Sequence, residues 1–369
     1  MSFLKCNPSV FVIEDDFEVL VYAKENGIMW LTVGGEDYYE ENSGVLSSEK
    51  PYAKIRFPQS ALNNAKEYTV NYRKTIDRKA YFSEMGDLEQ VTYKFKPLEK
   101  TEGINMYHTA DVHYAFADGV KCSTFFGDDL DVLLVNGDIG EVETDQNYFE
   151  VAKYVGDIAK GEVPVIFVRG NHDTRGKLAE DFCKYFPSNN SKTYFKFNLG
   201  VLSGLALDCG EDKPDNHQEY GSGYNGELVY NGTNIFEKFR RIETEFLKKA
   251  TLDDDKIKFV ISHVCPLYPH PKPGSIFDIE RELYAKWNVE LERLNLDFMI
   301  TGHLHKAFII NPEDSVAYHK HSYPIIVGSA ADYSDMHGTA ITINKDNYIV
   351  RFTNTKHEVN GEFTYPIKK

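Results

Sequence analysis

Val163-Pro164-Val165-Ile166-Phe167-Val168, then Arg169, then Gly170-Asn171-His172-Asp173: an apolar run ends in a glycine and side chains able to bind a cation. Six residues without a charged interruption suit a strand buried on both faces, as in a sheet covered by helices. The same grammar repeats outward from this stretch. Residues 132–135 lead to Gly137-Asp138, 258–261 to His263, and 297–300 to Gly302-His303-Leu304-His305, while Asp111-Val112-His113 closes a further apolar run. Between these strands, helical spacing appears in Tyr148, Val151, Ala152, Val155, Ile158 and Ala159, in Ile235, Phe239, Ile242 and Phe246, and in Leu283, Trp287, Leu291 and Leu294. Buried strands alternating with amphipathic helices predict an α/β fold, and open α/β sheets form sites just beyond the carboxyl ends of their strands. Further β-rich segments are expected around 308–310, 324–327, 340–343 and 349–352.

The first ninety-odd residues have another rhythm. Phe17/Val19/Val21, Ile28/Trp30/Thr32, Ile55/Phe57, Tyr68/Val70/Tyr72 and Val91/Tyr93/Phe95 alternate with period two between turn signals, and predict strands of a small β-sandwich. The polar segment 96–103 carries Pro97 and Gly103, and places a boundary between a unit at 1–99 and another at 100–369.

Composition narrows the function classes. With 369 residues, burial of a core is not limiting. Lys+Arg 41 against Asp+Glu 57 leaves a net charge of -16, which disfavours a surface that tracks nucleic acid or anionic lipid. An anionic substrate therefore needs a local positive centre. Five cysteines (Cys6, Cys122, Cys183, Cys209, Cys265) lack CxxC spacing and are expected to be reduced. No basic-then-apolar start and no bilayer-length apolar run is seen, so the expectation is a cytoplasmic protein without membrane partners. G-x-S-x-G and G-x-x-x-x-G-K-[ST] are absent, which argues against a serine hydrolase and a P-loop nucleotidase. Gly221–Gly226 fits G-x-G-x-x-G, yet it follows a polar run and reads as an insertion loop.

In an extended segment, Asp111 and His113 point the same way and converge on one ion, as do His303 and His305. Glycines at 137, 170 and 302 let the backbone turn tightly beside them. As an ordered set, D-x-H, GD, GNH(D/E), H and GH-x-H resembles the calcineurin-like metallophosphoesterases over roughly residues 104–310.

That resemblance implies a two-sheet αββα sandwich with one ion held by Asp111, His113 and His305, a second by Asn171, His263 and His303, and Asp138 bridging. It makes His172 the residue that protonates the leaving oxygen. Asp138 has two oxygens and can give one to each ion. Two divalent ions carry about +4, and Asp111, Asp138 and a bridging hydroxide leave about +1, because Asn171 and the histidines are neutral. Such a pair generates a nucleophile and clamps a phosphoryl group for in-line attack. Arg175, on the same loop, is a candidate for steadying a phosphate oxygen, and Asp173 an outer hydrogen-bonding partner.

The β-rich region with Tyr68-x-Val70-x-Tyr72 is similar to the fibronectin-type domain that precedes the catalytic domain of purple acid phosphatases. Those enzymes carry a tyrosine three residues after the bridging Asp, where this chain has Glu141, so no tyrosinate-iron colour is expected. Imidazole and carboxylate ligands suit Mn, Fe and Zn alike, as two divalent or mixed-valence ions. The expected activity is hydrolysis of a small phosphomonoester; alternatives are a phosphodiesterase, for example on cyclic nucleotides, and a non-catalytic scaffold that binds partners. Cys265 and His217, His270, His319, His321 and His337 are secondary candidates for facing the site.

Overall fold

The structure, a computed structural model, describes residues 2–214, 218–221, 224–227, 229–267, 277–314, 319–332 and 335–368. It is a mixed α/β chain with several sheets. Three apolar segments, Ile104–Thr109, Val132–Asn136 and Pro164–Val168, pair in parallel in that order. A second parallel group runs Leu202–Leu207, Ile257–Ser262, Phe298–Thr301 and Ile325–Asp332. The last strand pairs with Phe298–Thr301 near its start and with Asp335–Ile343 near its end, so one continuous strand path joins both groups.

Strand alternation then sorts the core into layers. Met106, Leu134 and Ile166 of the first group share one cluster with Ala206, Phe259, Ile261 and Ile300 of the second. The opposite faces, Leu133, Val135 and Val165 on one side and Leu205, Val260 and Met299 on the other, belong to clusters that include helical residues.

Helix Asp145–Ala159 presents Val151, Ala152 and Val155 to the first of these outer faces, on the expected spacing. Thr144 starts it: its Oγ1 accepts the Asn147 N–H, and Asn147 Oδ1 accepts the Thr144 N–H in return. Helix Arg281–Arg293 buries Leu283, Tyr284, Trp287 and Leu291 against the second. Trp287 is fully buried and its Nε1 donates to Thr244 Oγ1 at 2.7 Å, so truncating it to Ala would cost about 3–5 kcal/mol.

Helix Ile235–Lys249 differs from expectation. Ile235 and Ile242 are exposed, and the buried stripe is Phe236, Arg240, Glu243, Thr244 and Leu247. The reason is that this face holds a loop backbone: Glu243 Oε1 accepts the Asp208 N–H, and Arg240 Nη1 donates to the Cys209 and Glu211 carbonyls.

The first ninety-odd residues are strand-rich, with one short helix, Gln59–Ala65. Their strands divide among three sheets, the smallest being the pair Glu41–Asn42 and Val45–Leu46. Ser9–Ile13 pairs in parallel with Pro164–Val168, and Asp16–Tyr22 and Tyr52–Pro58 extend that sheet antiparallel. Glu36–Tyr39, Gly27–Val33, Glu67–Arg78 and Ser83–Lys94 form a separate four-stranded sheet. In Gly27–Val33 the buried face is Met29, Leu31 and Val33; the alternating set Ile28, Trp30 and Thr32 is only half-buried. Residues 96–103 form neither helix nor strand. All five cysteines are free.

Candidate metal centre

Each predicted ligand loop leaves the carboxyl end of a parallel strand, and the loops meet. His113 Nε2 and His305 Nε2 face each other at 3.2 Å, and His305 Nε2 is 3.4 Å from Asp111 Oδ1. His263 Nε2 lies 3.1 Å from Asp138 Oδ2 and 3.7 Å from Asp111 Oδ1. Three sets have ligand atoms all within 4.8 Å of one another: Asp111/His113/His305, His113/Asp138/His172 and Asp138/His263/His303. Asn171 joins them through Asp212, to which its Nδ2 donates at 3.4 Å and which is 3.4 Å from His303 Nε2.

The donor set fits a cation on physical grounds. Two donors about 2.1 Å from one ion sit roughly 3.0–3.4 Å apart at ordinary coordination angles, and the His113–His305, His305–Asp111 and His263–Asp138 contacts, at 3.2, 3.4 and 3.1 Å, lie in that range. His263 Nδ1 is 2.6 Å from the Asn136 carbonyl, which only accepts, so in the neutral ring the proton is there and Nε2 carries the lone pair. That Nε2 and Asn171 Oδ1 are both buried without a hydrogen-bond partner among the described residues. Lone pairs converging from carboxylates, imidazoles and an amide repel unless a positive charge sits among them. The titration behaviour reports the same demand. Burial pushes Asp111 up to about 7, with Asp138 adding to it, whereas burial of His263 is outweighed by Asp138 and Asp111, which raise it to about 10. Burial lowers His113 to about 4 and also lowers His305 and His172, favouring the neutral imidazole a metal needs.

Asp138 Oδ1 accepts the His172 N–H at 2.9 Å, and its Oδ2 faces His263 and, at 4.0 Å, His113. One detail of the sequence reading is corrected: convergence does not come from extended backbone. Asp111, His113, Asp138, His303 and His305 have φ of 53°, 43°, 54°, 69° and 50°. Left-handed conformation costs a non-glycine residue roughly 1–2 kcal/mol, so clustering at these positions marks a surrounding structure that over-determines them. Gly137 does turn with φ 76°, but Gly170 serves close approach instead, because a methyl there would collide with the Asp138 carboxylate.

A buried network backs the deeper side. His108 Nδ1 is 3.0 Å from the Gly328 carbonyl, its Nε2 accepts from Asn136 Nδ2 at 3.0 Å, and Asn136 Nδ2 also reaches the Ser262 carbonyl. Burial pushes His108 down to about 3, which keeps it neutral. Asp173 Oδ2 accepts the Gly170 and Asp138 N–H groups, tying two ligand loops together. The two sides differ in exposure: the side chains of His113 and His305 are 27% and 44% exposed, those of His263 and His303 2% and 10%.

Arg175 sends Nε and Nη2 to Glu211 at 2.7 and 2.6 Å, a fork that holds the guanidinium beside the site. Tyr230 donates to the same carboxylate. Glu211, Asp212, Lys213, His108 and Asn136 were missed by the sequence reading. The signal existed for Glu211 and Asp212: the apolar strand Leu202–Leu207 ends in Asp208-Cys209-Gly210-Glu211-Asp212, the same strand-then-ligand grammar as the other loops. Cys265 packs in an apolar cluster with Leu267 and Tyr323, and His321 Nδ1 meets the Tyr323 carbonyl. His217 and His270 lie outside the described residues, as do Ser222 and Gly223 of the glycine-rich stretch, whose flanks pair as strands Gln218–Gly221 and Tyr224–Glu227.

Residues 104–307 match the calcineurin-like phosphoesterase family. A probable cyclic nucleotide phosphodiesterase of Fibrobacter succinogenes is 24% identical over 191 residues, which is 52% of this chain and 63% of that protein, so less than two thirds of the relative is spanned. Among solved structures, the purple acid phosphatase PPD1 from yellow lupin (Lupinus luteus) superposes with a TM-score of 0.60 at 12% identity, covering 97% of this chain and 73% of that one. PhoD gives 0.57 at 10% identity, over 98% and 90%. At such identities the two structures speak to fold alone. The chain belongs to the calcineurin-like phosphoesterase family.

Proposed function

We propose that this calcineurin-like phosphoesterase hydrolyses a small phosphomonoester at a two-cation centre. The observation that carries the reading is the convergence of Asp111, His113, Asp138, His263, His303 and His305, with His263 Nε2 and Asn171 Oδ1 buried and without a hydrogen-bond partner among the described residues. Asp111, His113 and His305 would hold one ion, Asn171, His263 and His303 the other, with Asp138 Oδ2 between them. When bound, the ions supply Lewis acidity: they lower the pKa of a bound water toward about 7 and neutralise phosphoryl oxygens. The protein's own residues do the rest. Asn136 and His108 hold the His263 tautomer, and Asp173 sets the distance between the Asp138 and Asn171 loops.

His172 stands against His113, ring centroids 4.9 Å apart, at the mouth of the centre, and donates the proton to the leaving oxygen. A positioned acid contributes about 10²–10⁴ in rate. Arg175, held by Glu211, lends positive charge to the wall rather than reaching freely.

Diester hydrolysis is the second reading, favoured by the name of the Fibrobacter succinogenes relative. The test is metal content of the purified protein, followed by rates on monoesters, diesters and cyclic nucleotides under Mn, Fe and Zn loading. A faster monoester rate supports the proposal. Preference for cyclic nucleotides replaces it with the second reading, and a metal-loaded protein inert on every ester overturns both.

A further inference from the structure

We propose that Asp212 is a further cation-binding side chain of this centre, and that it makes the inner site prefer an oxygen-seeking ion of high coordination number, such as Mn²⁺, over Zn²⁺. The inference rests on the two-cation reading above and goes beyond the set of seven. Asp212 is 5% exposed, at the end of the 208–213 loop. Its Oδ1 takes Lys213 Nζ at 2.9 Å, Arg175 Nη2 at 3.3 Å and Asn171 Nδ2 at 3.4 Å. Its Oδ2 faces His303 Nε2 at 3.4 Å.

These contacts divide the carboxylate's work. Drawing the Asn171 NH₂ toward Asp212 turns the other end of that amide, Oδ1, into the position where it is buried and unpartnered among the described residues. The 3.4 Å between Asp212 Oδ2 and His303 Nε2 is the separation that two donors of one ion show, so this oxygen can reach the ion that His303 would hold.

The loop is built to keep it there. Glu243 and Arg240, buried polar side chains on the helix Ile235–Lys249, bind the backbone at Asp208, Cys209 and Glu211. Glu211 is itself clamped by Arg175 and Tyr230.

The two sites thereby become chemically unequal. The outer one has Asp111, Asp138, His113 and His305; the inner has oxygens from Asp138, Asn171 and Asp212 with nitrogens from His263 and His303. Three oxygens in a five-donor set suit Mn²⁺ or Mg²⁺ better than Zn²⁺, which is satisfied by four donors with nitrogen among them. Lys213 and Arg175 offset the added negative charge, so the centre stays attractive to phosphate.

The experiment uses the full chain carrying H113A and H305A, which strips both histidines from the outer site so that the inner one reports, freed of metal by chelator and titrated calorimetrically with Mn²⁺ or with Zn²⁺. Adding D212N should weaken Mn²⁺ at least tenfold and Zn²⁺ by no more than about threefold, and D212E should restore part of the Mn²⁺ affinity. Thermal unfolding of the stripped variants separates this from a folding defect. Equal Mn²⁺ affinity with and without D212N overturns the inference while leaving the two-cation reading intact, as does an equal loss of both metals with a lowered Tm. Failure of the unsubstituted chain to bind any ion overturns both.

Discussion

The two halves of the centre carry similar side chains and are held in opposite ways. On the outer half, His113 and His305 stand on left-handed loops and are partly open to solvent. On the inner half, His263 is locked by the Asn136 carbonyl, and behind it a neutral His108 and the Ser262 carbonyl complete a polar layer cut off from water. The difference teaches that affinity and exchange are set less by the ligating atom than by what stands behind it. On the two-cation proposal, the inner ion is expected to resist chelators and the outer one to exchange.

The strongest way to break this comparison is at the residue both halves share. Asp138→Ala should lose both ions and essentially all activity, read by elemental analysis; retention of one ion would show that the halves are independent. His172→Ala comes next. It should keep both ions but slow alkyl phosphates by about 10²–10⁴, with aryl phosphates, whose leaving groups need no proton, much less affected. Because the acid acts only when protonated, and burial lowers His172, the alkyl rate should fall with rising pH in the unsubstituted enzyme and the aryl rate should not.

Smaller effects sharpen the contrast. Asn136→Leu should weaken the inner ion by about 10-fold to 100-fold and leave the outer one unchanged, measured by competition with a fluorescent chelator. The smallest concerns His108. Its folded pKa, about 3, lies below the unfolded value near 6.5, so between those pH values only the unfolded chain takes the proton. Stability of the metal-free chain should therefore fall as pH drops through that window, and His108→Gln should flatten the slope in urea denaturation.

Much of the cluster was legible because ligand-type side chains announce themselves locally: strand-then-ligand grammar singled out Asp111, Asp138, Asn171 and the four histidines, side chains that the structure brings to one place. Backbone conformation was not, since a D-x-H triplet looks the same whether extended or left-handed. Asp212 escaped because its strand was passed over, and because an acidic loop resembles any solvated surface. Apolar spacing located the helix Ile235–Lys249 but misjudged its buried face, where Arg240 and Glu243 hold a loop. Period-two alternation found the early strands but could not say which face of Gly27–Val33 is buried, or that Ser9–Ile13 would pair with Pro164–Val168, 154 residues along the chain.

That last pairing has a practical consequence. Val10 and Phe11 sit in register with Pro164 and Val165, so a fragment starting near residue 100 would bare a row of amide and carbonyl groups along the strand that delivers Asn171 and His172. Raw strand borders recruit one another, and such a fragment should clump rather than fold. Anyone trimming this enzyme for crystals or engineering should keep its opening segment attached.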